Sequence, residues 1–294
     1  MSFWILTDAA ADIPQRIASQ YDHFEVLPMT YQIDGKEYTW SAESADDMSQ
    51  VHGFYQQLRG GKVSSTAQIS LFTYQTAFEK IVAGGEDVLY IAFSSGLSGT
   101  YQAAVMAQRM VMDEHPGSRI MVVDGLSASV GHGLLVEYAL AQRAQGKGME
   151  ETAQWVLNNR QRLIHWFTVD DLMFLLRGGR VSKTSAYLGS MLKIKPILNV
   201  NFEGKLIPVE KASGRKRSIK ELAEKTAETI DRSEPPQTIL IGHGDCAEDA
   251  AYLIEQLRKE GVPFKDVQVR PIGAIIGSHS GPGTLAIFFL GTAR

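Results

Sequence analysis

Short apolar runs alternate with amphipathic stretches along the first half of the chain, which predicts strands separated by helices. FWIL at the start reads as a strand, and TDAAADIP after it as a turn. In that turn Asp12 is placed to cap a helix, with Pro14 in its first turn. FEVLPMTYQI is a second extended segment, and helical spacing covers residues 46–58 and 71–82, the latter preceded by Ser70. VLYIAF predicts a strand, residues 98–112 a helix, IMVVD a strand and residues 134–143 a helix. Such alternation builds parallel β-α-β units and a layered α/β domain. In an open parallel sheet, ligands sit beyond the carboxyl ends of the strands. That singles out three polar loops, residues 8–12, 94–100 and 124–129.

The second half has a different texture. Residues 149–163 are read as a helix bridging the two halves, and WFTV as a strand. DDLMFLLRGGRVSKTSAYLGSMLKIKPILNVN mixes helix with a Gly-Gly break and ends in a strand. NFEGK then predicts a hairpin turn joining KPILNV to LIPVEKA, an antiparallel signature. TILIGHG, DVQVRPIG and TLAIFFLG supply further strands, with helices at residues 218–230 and 247–259. The expected class is α/β in two domains. Residues 1–160 form a three-layer α/β/α domain with a mainly parallel sheet, and residues 161–294 a two-layer α/β domain with a mixed sheet.

Composition narrows the function classes. The 294 residues carry a net charge of −4 and 44% hydrophobic side chains, with a mean hydropathy of −0.10. That balance argues against a general nucleic-acid binder or a polybasic membrane binder. A single cysteine, Cys246, excludes an intramolecular disulfide and fits a reducing cytoplasm. MSFWILTDAA lacks a basic leader region and reads as a first strand, not a signal peptide. No apolar run approaches the roughly 20 residues of a membrane span.

Five stretches carry candidate chemistry. FSSGLSGTYQAA (residues 93–104) leads from a strand into a helix, whose free N–H groups and dipole attract anions. Ser98 there is placed either to cap the helix or to offer its hydroxyl to a ligand. No G-x-x-x-x-G-K-[ST] phosphate loop and no G-x-G-x-x-G fingerprint accompanies it. VSSTAQIS (residues 63–70) is a second hydroxyl-rich loop, with Thr66 able to face a ligand, although ordinary turn and capping chemistry explains it equally. IIGSHSGPGT presents His279 between two serines in a Gly-rich loop before a strand. LRGGRVSKTSAYLG places Arg177, Arg180 and Lys183 beside a Gly-Gly hinge, either as a solvated loop or as a docking patch for an anionic group or partner. GRKR (residues 214–217) is a second basic cluster, most simply a solvated one. GHGDC brings His243, Asp245 and Cys246 together, but the spacing is poor for zinc and no second ligand pair completes it. Asp8, Asp12 and Asp124 lie where strands end or helices begin, which makes capping their simplest work.

Taken in order, these segments resemble the DegV family of bacterial fatty-acid-binding proteins, the lipid-binding subunits of fatty acid kinase. TDAAADIP is similar to the family's opening T-D-S-x-x-D-[LI], and SSGLSGTYQAA to its second signature. VVDGLSAS, LRGGRVSK, LGSMLKIKPIL and the late GSHSGPG also match, so the resemblance spans essentially the whole chain. It implies a cytoplasmic, non-catalytic carrier that holds one long-chain fatty acid, such as palmitate, between its domains. The carboxylate is then anchored by Thr66, Ser98 and His279, with Ala67 and Gly99 beside them. Here the family's T-S-Q-P-S loop reads Thr66-Ala67-Gln68-Ile69-Ser70, so position 67 keeps only its backbone N–H to offer. The resemblance further implies a separate fatty acid kinase of the dihydroxyacetone-kinase type that makes the acyl phosphate. Arg180, with Arg177 and Lys183, is the natural docking surface for it. No metal and no cofactor is implied.

The physical chemistry is compatible. Burying about 14 methylenes at roughly 0.8 kcal/mol each gives about 10 kcal/mol before ordering costs. The head group needs donors, because an unpaired buried charge is costly. Two other readings remain at this stage. A serine hydrolase would use Ser98 as nucleophile, His279 as base and Asp8 or Asp124 to orient it, although G-L-S-G-T is not the G-x-S-x-G elbow. A sugar- or phosphate-binding module would need a small polar pocket and no long apolar tunnel.

Overall fold

Neighbouring residues on the first strand belong to different cores: Ile5 packs on one side of its sheet and Leu6 on the other. The structure, a computed structural model, describes residues 3–181, 194–292 and 294. Its first part contains β1 (Phe3–Asp8), a 3-10 turn (Ala9–Ala11), α1 (Gln15–Ala18), β2 (Phe24–Leu27), β3 (Met29–Ile33), β4 (Lys36–Trp40), α2 (Ala42–Asp46) and α3 (Met48–Arg59). Next come β5 (Ser64–Thr66), α4 (Leu71–Val82), β6 (Asp87–Ala92), α5 (Thr100–Glu114), β7 (Ile120–Asp124), α6 (Ser129–Ala144) and α7 (Met149–Asn159). The rest contains β8 (Leu163–Thr168), α8 (Met173–Arg177), β9 (Ile194–Val200), β10 (Leu206–Ser213), α9 (Arg215–Thr229), β11 (Thr238–His243), α10 (Ala247–Lys259), β12 (Asp266–Pro271), α11 (Ala274–Ser280) and β13 (Leu285–Leu290).

Strands β2-β1-β6-β7 form a wholly parallel sheet. Leu6, Val88 and Tyr90 face α4 and α5, while Ile5, Leu89 and Ile91 face α6 and α7. Period-two alternation, apolar on both faces, is what a strand covered by helices on each side requires. Strands β10-β9-β8-β13-β11-β12 form the mixed sheet, antiparallel except for the β11–β12 pair. Its outer face, with Ile239, Ile241 and Ile287, packs on α9 and α10. Its inner face, with Phe167, Leu240 and Phe288, joins the core beneath α6. The two-domain α/β architecture expected from the pattern is the one observed.

Several local readings are corrected. FEVLPMTYQI is two strands: Pro28 lacks the N–H a ladder needs, and the chain passes there from the parallel sheet to a small antiparallel one, β4-β3-β5. Asp12 is not the N-cap of α1, a position held by Pro14. Asp12 ends the 3-10 turn in the left-handed conformation (φ 50°), and its buried carboxylate accepts Ser129 Oγ–H (2.7 Å) and Gly273 N–H (2.9 Å). The helix bridging the halves is α6 rather than α7. Glu137 of α6 pairs with the buried Arg270 of β12, whereas α7 packs against α6, β6 and β7. The segment around His279 is not a loop but the short helix α11, followed by Gly281 and Gly283 at positive φ.

Candidate ligand-binding site

In the parallel sheet, the chain leaves β1 for β2 on one side and returns to β6 on the other. The crevice at such a reversal lies between the loops that follow the two strands. All three polar loops picked out from the sequence contribute there: Ala10, Ser98 and Ser129 line one cavity of about 520 Å³, a volume typical of small-molecule sites. Facing them is the inner side of the mixed sheet, with Phe167, Val200, Leu206, Ala286 and Phe288. The walls are therefore mainly apolar, with Thr66, Ser98, Arg180 and His279 among the polar groups that line them.

These polar groups come from distant segments of the chain. Thr66 lies on β5, paired with Tyr31 of β3, and not in a free loop. Its Oγ1 is 2.7 Å from His279 Nε2 on the last turn of α11. The adjacent Ser64 and Ser278 hydroxyls meet at 2.7 Å, stitching β5 to the same helix. Burial, helped by the nearby Arg180 charge, pushes the His279 imidazole down to about 4, so the ring is neutral at pH 7. Gly178 of the R-G-G-R segment lies flat on that ring. A Cβ there would come 2.5 Å from His279 Nδ1, so only glycine allows the approach.

Ser98 does not cap α5. The N-cap is Gly99, and Ser98 instead accepts the Thr100 N–H (3.2 Å) and meets Thr100 Oγ1 at 2.9 Å. It lines the cavity, half-buried, while Gly99 and Ala67 stand exposed at the same rim. Ser94, by contrast, is fully buried, and its hydroxyl donates to Gly204 O (2.8 Å) at the tip of the β9–β10 hairpin. Gly204 has φ +73° and sits directly against Ser94 Oγ, leaving no room for a side chain.

Thr66, Ala67, Ser98, Gly99 and His279 thus all line one cavity. Arg180 lines it too: half-buried, it donates to Gly178 O, and loss of solvent lowers its pKa. Arg177 is exposed and stacks over Phe174 at 4.9 Å. Lys183 lies outside the described residues. So do Ser182 and residues 187–193, whereas Leu175 lines the cavity.

The hydrolase arrangement is not assembled. Asp8 accepts Tyr90 O–H and two backbone N–H groups, and Asp124 accepts the N–H groups of Ser95 and Leu126. His279 meets Thr66 and neither carboxylate nor Ser98. GHGDC is also spoken for: Asp245 pairs with Arg59 and His52, and His243 Nδ1 accepts the Cys246 N–H (3.2 Å). Arg215 and Arg217 of GRKR pair with Asp249 and with Glu221 and Glu224. Among the described residues no group of three or more His, Cys, Asp or Glu side chains is placed to hold a metal ion. No helix among them is long and apolar enough to cross a membrane.

Sequence reasoning missed Gln68, whose side chain covers Gly99, and His165, buried in the cavity wall. His165 Nδ1 donates to Leu163 O (3.0 Å) and its Nε2 accepts Ala128 N–H (3.4 Å). Alternation along LIHWFT was the available signal, since it turns His165 and Phe167 to the same inner face.

A family profile described as "Uncharacterised protein, DegV family" matches residues 2–292. The chain belongs to the DegV family. It is 43% identical over 292 residues to a DegV domain-containing protein of Clostridium perfringens, covering 99% of this chain and 98% of that one. Among solved DegV structures it is similar to a fatty-acid-binding protein from Streptococcus agalactiae, with 28% identity, 98% of each chain covered and a TM-score of 0.84. It is also similar to a DegV protein from Thermus thermophilus described by its fatty acid binding, with 27% identity, 98% and 99% coverage and a TM-score of 0.83.

Proposed function

We propose that this DegV protein binds one long-chain fatty acid in the cavity. The acyl chain lies between a domain of residues 1–160 and one of residues 161–294, and the carboxyl is seated among Thr66, Ser98 and His279. The observation that carries this reading is one cavity whose lining is mainly apolar and includes the hydroxyls of Thr66 and Ser98 together with His279. Two relatives above 25% identity over nearly the whole chain are described as fatty-acid-binding, which supports the same ligand class. A small polar pocket for a sugar or phosphate is a poor description of walls built from Phe167, Leu206 and Phe288.

The head-group end is the exposed end, with Ala67 and Gly99 at the rim and Arg177 in solvent nearby. A carboxyl seated there is accessible to a second protein. We therefore assign the chain as a carrier that presents its ligand to a separate fatty acid kinase of the dihydroxyacetone-kinase type. The chain itself needs no catalytic group for this. Extracting the purified protein with organic solvent and identifying the lipid by mass spectrometry tests the first claim. A stoichiometric fatty acid, depleted in Ser98→Ala, is the expected result. Its absence, together with ester cleavage that Ser98→Ala abolishes, would sink the carrier reading.

A further inference from the structure

The chain between Thr66 and α4 is pinned on both sides of one long side chain that is itself untied. Ala67 N–H donates to Thr30 O (3.2 Å), which carries the β3–β5 ladder one residue further. Ile69 is buried in the same core as Leu6 and Tyr90, and Ser70 caps α4 by accepting the Thr73 N–H (3.1 Å). Between these anchors Gln68 is exposed and lines the cavity. Its carboxamide makes no hydrogen bond to another of the described residues. Its Oε1 lies against the backbone of Gly99, the N-cap of α5, where a Cβ would come 2.4 Å from that oxygen.

A carboxylate is acceptor-only, with about four lone-pair sites to satisfy. Most donors around the seat already have partners. The Thr66 hydroxyl meets His279, the Ser98 hydroxyl meets Thr100, and Arg180 donates to Gly178 O. Position 67 has no side-chain donor, and its N–H is committed to Thr30 O. Gln68 brings two N–H groups on one nitrogen with no protein partner to give up. Its oxygen rests at the start of a 15-residue helix, where the dipole and free N–H groups favour negative charge. The last torsion of a glutamine is broad and roughly two-fold, so turning the amide over there costs little.

Resting on the fatty-acid reading above, we propose that Gln68 is a further ligand-binding residue, whose carboxamide turns over when the head group arrives and donates Nε2–H to the carboxylate seated beside Gly99. It supplies the side-chain donor that position 67 lacks and covers the outer side of the seat. The head is then held by a neutral donor on that side, opposite no second fixed cation. An ionised head accepts such a bond more strongly than a neutral one, so Gln68 favours a carboxylate over an ester or alcohol of the same chain.

The test titrates full-length, lipid-stripped protein with palmitate at pH 7.5. Gln68 is exposed, so substitution leaves the core undisturbed. Gln68→Ala should weaken binding about 5- to 10-fold, the worth of one hydrogen bond. Gln68→Glu keeps the size of the side chain but sets an acceptor-only carboxylate against the head. It should weaken binding about 50-fold, the lost bond plus about 5-fold from like-charge repulsion. In protein labelled with ¹⁵N-glutamine, the Gln68 side-chain resonance, identified by its absence in Gln68→Ala, should move downfield when palmitate is added. A packing role would spare the near-isosteric Gln68→Glu variant. Wild-type affinity in either variant, or a Gln68 amide resonance unmoved by palmitate, would overturn the Gln68 assignment alone, because the wild type still binds the acid. A wild type that binds no palmitate would overturn the fatty-acid reading and this inference with it.

Discussion

Replacing His279 with glutamine should make the lipid-free protein less sensitive to acid, and the size of the effect follows from the ring's surroundings. Its pKa falls from the ordinary 6.5 to about 4 on folding, chiefly by burial and secondarily through Arg180. A base depressed in the folded state takes up its proton first in the unfolded chain. The stability tied to the neutral ring is therefore complete above pH 6.5 and lost as pH falls toward 4. At 1.36 kcal/mol per unit, the loss is about 2 kcal/mol at pH 5 and about 3 kcal/mol below pH 4. Other groups titrate in the same window. His132 and His165 are depressed likewise, whereas Asp12, raised by burial to about 7, loses stability as pH rises from 3.8 to 7. Comparing each protein with itself removes them. Urea unfolding at pH 7.5 and pH 5.0 should show a pH-dependent loss about 2 kcal/mol smaller in His279→Gln than in the wild type. Equal losses in the two proteins would show that His279 titrates normally and that the rim is wetter than its geometry implies.

Ser98→Ala should weaken palmitate binding about 5- to 10-fold, the worth of one hydrogen bond. Ser94→Ala should change binding less than about 2-fold while lowering stability, because that hydroxyl holds Gly204 of the hairpin; equal effects in isothermal titration would show that the wrong serine faces the ligand. Ala286→Phe, on the inner face of β13, should exclude about three methylenes and cost palmitate about 2 kcal/mol while sparing decanoate. A uniform loss for both acids would contradict an acyl chain along that wall. Arg177→Ala should leave lipid retention intact and slow phosphorylation by a partner kinase. Arg180→Ala should reduce both, since its guanidinium lines the cavity as well as the rim.

Much of the fold was legible because its strands obey simple rules. FWIL and VLYIAF are apolar on both faces, as strands under two helical layers must be, and NFEGK marked its hairpin through the turn chemistry of Asn and Gly. What was missed depended on tertiary context. SST became a strand only because β3 offers it a ladder, and IIGSHS became a helix only because β5, α3 and α8 pack around it. Of the site, the hydroxyls and the histidine were legible as residue types in unusual loops. Their convergence was not readable from spacing: the Thr66–His279 contact joins residues 213 apart. Arg180 was legible as a charge, but its place in the cavity wall depends on Gly178 letting the chain lie flat on His279.

That 213-residue separation has a consequence for how the protein comes into being. Thr66 leaves the ribosome 213 residues ahead of His279 and waits for the helix that carries it. Until β13 closes the mixed sheet behind that helix, the cavity lacks a wall and the rim lacks its histidine. Chains that stop short of β13 therefore lack a complete cavity, and the site forms in one late step. Non-local closure of this kind is slow. A ligand that binds only the closed cavity then deepens the native well only for molecules in which β13 is in place.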